Sequence, residues 1–201
     1  MSDAYIPRLN DNGVRESQYY NGPYSPFYPD WIQNGEQWDE EAGRMVPNIG
    51  NCTSYAWARF WEIANFETDK RPGLCTLDAN YWFNYPDGYE RGDTPKLGAV
   101  LCLYGGNYSG WGHVAIVEQI NDDGSILTSE SGFHAYFWEL RRRRPPFYEY
   151  DPYDGYIFQG FIYNPYAGDT PGGKVDAKKL FLLSGLKKRL KQWEYRRITN
   201  L

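Results

Sequence analysis

Apolar positions along the chain form one helical run, followed by a series of short strand-like runs. The segment Asn51-Cys-Thr-Ser-Tyr-Ala-Trp-Ala-Arg-Phe-Trp-Glu-Ile-Ala64 opens on polar capping residues and holds no Pro or Gly. Within it Tyr55, Ala56, Phe60 and Ile63 recur near helical spacing, so a helix is predicted with Cys52 in its first turn. Pro47-Asn-Ile-Gly50 before it is turn material. After Pro95 the pattern changes. Gly98–Tyr104, Gly112–Glu118, Ser125–Glu130, Ala135–Arg141 and Ile157–Tyr163 each read as a strand, and Asn121-Asp-Asp-Gly124 reads as a tight turn. One helix ahead of about five sequential strands predicts an α+β domain with an antiparallel sheet.

The flanks differ from this middle. Residues 1–46 are rich in Tyr, Trp, Pro, Gly and Asn, with Pro7, Pro23, Pro26 and Pro29 near the start, which excludes a long helix. An extended arm with turns is expected, its aromatics covering either the chain's own core or a partner. Residues 65–96 read as loops and short helical pieces. The stretch from Asn164 to Gly173 is a linker by composition, and 174–196 reads as a helix with Leu183, Leu186, Leu190 and Trp193 along one stripe. The organisation expected is an arm at 1–46, a domain at 47–166, and a linker with a basic amphipathic helix at 167–201. That helix has three candidate surfaces: the body of the same chain, a partner protein, or an anionic membrane.

Composition narrows the class. At 201 residues, 41% hydrophobic and 23% charged, the chain is globular. No run approaches the roughly 18 apolar residues of a membrane helix, so no transmembrane segment is expected. The net charge of −5 is uneven: residues 174–201 carry nine Lys/Arg against Asp176 and Glu194, and the first 173 residues carry 12 basic against 24 acidic groups. Such an acidic body does not suit a nucleic-acid partner. The aromatic share of 18% fits a large core and also a groove that grips sugars or peptides. Cys52, Cys75 and Cys102 cannot all pair, and their spacing matches no zinc motif. The N-terminus lacks a basic head followed by an apolar run, so a product kept inside the cell until released is expected.

Candidate chemistry centres on Cys52. A thiol in the first turn of a helix sits at the positive end of the macrodipole, which favours thiolate, and as a nucleophile it needs an imidazole and a group to orient that imidazole. Only two histidines exist: His134 falls in a turn, and His113 begins the strand after Gly110-Trp-Gly112. The glycines there would let a substrate chain approach the backbone. Glu130 on the following strand is suitably placed to orient His113. Spacing alone leaves a second reading open, in which Cys52 is a buried packing thiol and His113 a structural residue.

Five blocks in order bear a family likeness. Gly50-Asn-Cys-Thr-Ser-Tyr-Ala-Trp-Ala58, Thr94-Pro-Lys-Leu-Gly-Ala-Val100, Gly112-His-Val-Ala-Ile-Val-Glu118, Thr128-Ser-Glu-Ser-Gly132 and Phe158-Gln-Gly-Phe-Ile-Tyr-Asn-Pro165 together resemble the CHAP domain, the cysteine, histidine-dependent amidohydrolase/peptidase family. Their wording is similar to CHAP proteins of phages that infect Gram-positive bacteria. The resemblance implies a papain-like fold in which Cys52 attacks an amide carbonyl, His113 transfers the proton and Glu130 orients the histidine. The Cys52 amide, with Asn51 as a second donor, would receive the oxyanion, and Trp111 is the candidate substrate contact. Two departures stand out. Gly132 occupies the position where some members carry Asn, and the acidic residues Asp39, Glu40 and Glu41 are spaced unlike a calcium-binding run, so no metal and no cofactor are expected.

The function implied is a peptidoglycan hydrolase that cuts either the N-acetylmuramoyl–L-alanine bond or a peptide link. It would act as an endolysin held in the host cytoplasm or as a virion-associated lysin, with phage tail proteins as possible partners of the C-terminal helix. The rival reading is a non-catalytic, CHAP-like tail component that binds wall material. Arg141-Arg-Arg-Arg144 is expected to be a strand end meeting solvent, and Cys75 and Cys102 to be buried, reduced thiols.

Overall fold

The structure is a computed structural model that describes residues 5–28, 34–40, 42–106, 110–132, 138–145 and 155–168. The predicted helix at 174–196 and the turn around His134 lie outside the described residues.

A short helix α1 (Gln18–Asn21) and a hairpin of β1 (Glu36–Asp39) and β2 (Arg44–Pro47) precede the main helix α2 (Cys52–Glu62). Two 3₁₀ turns follow, at Thr68–Lys70 and Ala79–Asn84. Among the described residues six further strands follow: β3 (Arg91–Gly92), β4 (Val100–Gly105), β5 (His113–Ile120), β6 (Ile126–Ser131), β7 (Trp138–Arg143) and β8 (Tyr156–Ile162). They form one antiparallel sheet in the order β3-β8-β4-β5-β6-β7. The class is α+β, as the sequence pattern predicts. Sequence order did not show that β8 returns to lie between β3 and β4.

Helix α2 is buried on every side, from Thr53 through Trp61. It is enclosed by the core even at its polar positions Thr53, Ser54 and Arg59. Its Trp57, Phe60 and Trp61 meet Val100, Cys102, Val114 and Ile116 of the sheet, with Val14 and Tyr20 of the N-terminal segment closing the same core. Tyr19, Tyr20 and Phe27 of the arm therefore cover the chain's own core, while Tyr24 and Trp38 stay exposed: Tyr19 stacks on Phe66, with ring centroids 4.0 Å apart, and lies edge-on to Trp61. A second cluster of Ala99, Leu101, Leu103, Ala115, Val117, Ile126 and Phe161 fills the other face of the sheet. Cys75 and Cys102 are free and buried, and burial pushes both thiols up in pKa, which leaves them as inert packing residues.

One charged side chain of α2 points inward. Arg59 donates from Nε to Glu118 Oε1 at 2.9 Å and from Nη2 to Glu118 Oε2 at 3.0 Å, with Glu118 fully buried on β5. The carboxylate also accepts from Ser129 Oγ (2.7 Å), Tyr5 Oη (2.6 Å) and the Arg8 amide (2.7 Å). Arg59 donates further to Glu62 (2.7 Å) and to the Ile6 carbonyl (2.7 Å). The network ties α2, β5, β6 and the N-terminal segment at one point. Removing one member of a buried ion pair strands the other, at a cost of about 3–5 kcal/mol. Glu118→Ala is expected to lose about that much stability, and Glu118→Ala combined with Arg59→Met less than the sum of the two single variants; urea unfolding midpoints of the three proteins check this.

Candidate active site

Asn51 is the N-cap of α2 and Cys52 its first residue. The Asn51 side chain makes no capping bond, so it does not occupy the amides of the first turn, and its Oδ1 is buried without a hydrogen-bond partner. The loop before Cys52 is held by Ser131, whose hydroxyl donates to the Gly50 carbonyl. Ser131 follows Glu130 directly on β6. One strand end thus holds both the turn that presents Cys52 and the carboxylate that serves His113.

His113 begins β5 and pairs in register with Leu103 of β4. Its Nε2 meets Glu130 Oε2 in a close hydrogen-bonded ion pair. The Cys52 side chain lies within hydrogen-bonding reach of the same imidazole. Since Nε2 is taken by Glu130, Nδ1 is the nitrogen left for the sulfur. Tyr156 stacks beside the ring, with centroids 5.6 Å apart and planes inclined by 28°. The His113 side chain keeps 13% of its surface exposed and Cys52 is half-buried, so the pair opens to solvent on one side.

The structure thus brings Cys52, His113 and Glu130 together. Trp111 sits at the rim, half exposed, bridged to Gly105 and accepting at its carbonyl from the Asn80 amide at 2.9 Å. The glycine expected to admit a substrate chain has another use. Gly112 has φ +80°, and a Cβ there would come within 2.5 Å of Asn80 Oδ1 and 2.6 Å of the Leu103 carbonyl. Its space is filled by the 3₁₀ turn that carries Asn80, whose side chain bonds both the Gly105 amide and the Gly110 carbonyl. Asn80 braces the loop that delivers His113.

The arginine run corrects another expectation. Arg143 Nη2 donates to Glu130 Oε2 at 2.7 Å and Oε1 at 3.0 Å, and its Nε donates to Thr128 Oγ1 at 3.3 Å. Arg141 Nε lies 3.5 Å from Glu130 Oε1. Arg142 instead reaches Asp123 (2.8 Å) and Ser125 (2.9 Å). The run is split by the strand's period of two, so alternate arginines serve the buried carboxylate and the turn. The signal was present as Arg141–Arg144, but only the β6–β7 register shows which members face Glu130.

Electrostatics follow from this placement. Burial pushes the Glu130 carboxyl up, but Arg143, His113 and Arg141 outweigh it and hold its pKa down at about 2. Burial pushes His113 down, yet the Glu130 carboxylate and Cys52 carry it up to about 9. The geometry favours an imidazolium beside an ionised carboxylate. Among the described residues, no group of three or more His, Cys, Asp and Glu is placed to hold a metal ion. A cavity of about 720 Å³ opens at the far end of α2, against Arg8, Arg59 and Glu62, and holds no nucleophile paired with a base.

Residues 41–132 match the family model of the CHAP domain. The chain is 33% identical over 112 residues to the N-acetylmuramoyl-L-alanine amidase sle1 of Staphylococcus epidermidis, covering 53% of this chain and 34% of that protein. It is 32% identical over 116 residues to its Staphylococcus aureus counterpart, covering 55% and 34%. The chain therefore spans about a third of the length of these relatives. A solved structure of an N-acetylmuramoyl-L-alanine amidase from Staphylococcus aureus aligns with a TM-score of 0.40 and 25% identity over 65% of this chain and 36% of that one.

The pair's contribution to stability has a defined window. Glu130, held at about 2, contributes above its ordinary value of 4.5 and is lost as the pH falls through 2. His113, raised to about 9, contributes fully below its ordinary 6.5 and is lost as the pH rises through 9. Both act in full between those ordinary values. With only two histidines in the chain, NMR titration resolves His113 directly. Its titration is expected near 9, and Glu130→Gln is expected to lower it by about 1–3 units, because burial then acts with less opposition.

Proposed function

We propose, from the CHAP domain that residues 41–132 carry, that this chain is a peptidoglycan hydrolase cutting an amide bond through Cys52, His113 and Glu130. The observation that carries the reading is the convergence on one imidazole of a half-buried thiol at a helix start and a buried, ionised carboxylate. His113 Nδ1 takes the Cys52 proton, and the sulfur attacks the amide carbonyl carbon. The oxyanion lies at the uncapped start of α2, where the Cys52 amide is the nearest donor and Asn51 supplies a second. The imidazolium returns its proton to the departing amine, leaving a thioester on Cys52. Water then attacks the thioester, giving its proton to His113, and the thiol is restored. Glu130 keeps Nε2 protonated, so that Nδ1 is the basic nitrogen throughout.

The bond we assign is N-acetylmuramoyl–L-alanine, the one in the name of the staphylococcal relatives, ahead of a peptide link in the stem or cross-bridge. Trp111, half exposed two residues before His113, is the substrate contact at the rim. We extend the reading to phage lysis of a Gram-positive host, by an endolysin or a virion-borne lysin, on the wording of the five sequence blocks. In that setting the basic amphipathic segment at 174–196 is the one that engages virion proteins.

A zymogram on Gram-positive cell walls tests the enzyme against a wall-binding structural protein. Clearing by the wild type is expected to fall by at least about 10³-fold in Cys52→Ala and in His113→Ala. Glu130→Gln is expected to retain more activity than Glu130→Ala, because an amide oxygen still accepts the imidazole N–H. Iodoacetamide is expected to stop clearing while a chelator leaves it unchanged. Mass spectrometry of released fragments identifies the bond: free L-alanine amino termini with intact glycan support the amidase, and new termini within the peptide overturn that assignment.

A further inference from the structure

We infer that Arg143 is a positioning residue for the Cys52–His113 pair, acting through Glu130 and standing as the fourth member of the catalytic assembly. The inference rests on the hydrolase reading above for its purpose, but its geometry is independent of substrate. Arg143 reaches both Glu130 oxygens from one nitrogen, at 2.7 and 3.0 Å, and its Nε donates to Thr128 Oγ1 at 3.3 Å. Its side chain is 12% exposed, so the guanidinium is withdrawn from solvent and held by three polar contacts. Charge-assisted contacts to a buried carboxylate fix its plane as well as its charge. Here they leave Oε2 turned toward His113 Nε2.

The register explains why this residue can do so. Glu130 of β6 faces Glu139 of β7, and Thr128 faces Arg141. Ile126 faces Arg143, so Ile126, Thr128 and Glu130 share one sheet face with Glu139, Arg141 and Arg143. The charged groups around Glu130 are thus His113 from β5, with Cys52 of α2 behind it, and Arg141 and Arg143 from β7. Glu139 is drawn off by Arg141, at 3.2 Å. Arg141 is farther from Glu130, at 3.5 Å, and 35% exposed, so the burden falls on Arg143. Gly132, the residue after β6 ends, carries no side chain.

The alkylation rate of Cys52 by iodoacetamide, followed from pH 4 to 9, reads the thiolate without any wall substrate. In Arg143→Gln the midpoint of its acidic limb is expected to rise by about one pH unit, which slows alkylation below the midpoint by about tenfold. Arg143→Lys keeps the charge and loses the Nε bond to Thr128 that aims it, so it is expected to fall between wild type and Gln; it also carries the test should Arg143→Gln fail to fold. In a Glu130→Gln background, Arg143→Gln is expected to add nothing. On cell walls the same substitution is expected to lower kcat with KM little changed. An unmoved alkylation midpoint in folded Arg143→Gln or Arg143→Lys overturns the inference, as does an equal effect of Arg143→Gln with and without the Glu130 carboxylate. A shifted midpoint in a protein that clears no wall would instead overturn the hydrolase reading and leave the positioning role standing.

Discussion

The contact between Arg59 and Glu118 governs where everything else can lie. A guanidinium and a carboxylate buried together are tolerated only while they face each other, since each alone carries a desolvation penalty of several kcal/mol. Helix α2 therefore cannot slip along β5 by a turn, about 5.4 Å, without stranding both charges. Cys52 lies seven residues toward the N-terminus of the same helix, about 10 Å along its axis. The ion pair thus sets the axial position of Cys52 from a distance. The Ser131–Gly50 bond secures the other end, so the helix is tied to the sheet near both of its termini.

Two buried ionic groups in this fold illustrate different uses of the same physics. Around Glu118 every carboxylate contact is an internal one, from Arg59, Ser129, Tyr5 and the Arg8 amide, and the result is a rigid junction. Around Glu130 the charges run from Arg143 through the carboxylate to His113, and the imidazole lies beside the half-buried Cys52 sulfur. Each of these charges is stabilised by its neighbours against the cost of burial. What turns the second arrangement toward chemistry is its opening to solvent at the thiol end.

The N-terminal segment supplies much of what the helix needs to stay buried. Val14 and Tyr20 enter the α2 core, and Tyr5 and Arg8 reach Glu118 and Glu62. Tyr19, Trp61 and Phe66 form a compact aromatic group where α2 ends. At that end Asn65 and Phe66 adopt positive φ, a turn held by the Phe66 amide donating to the Trp61 carbonyl. A region whose composition reads as an arm is, in residues 5–28, one wall of the core. Prolines forbade a long helix there, but they did not forbid burial.

Local rules were enough for the main helix and the long strands of the sheet, though not for α1, the β1–β2 hairpin or β3. Helical spacing and a polar start placed α2 and put Cys52 in its first turn, because capping and periodicity are properties of adjacent residues. Apolar runs bounded by turn residues placed β4, β5, β6 and β8 to within a few positions for the same reason. The trio of Cys52, His113 and Glu130 was legible through residue type, order and family likeness. Strand register was not, because backbone hydrogen bonding accepts any in-phase pairing and only side-chain packing across the sheet selects one. Register decides that Arg143 and Arg141 face Glu130 while Arg142 faces Asp123, which four identical letters in a row conceal. Likewise Asn80, Tyr156 and Ser131 carry no local mark of their roles: each acts on a residue far along the chain, and only the closed fold brings the two together.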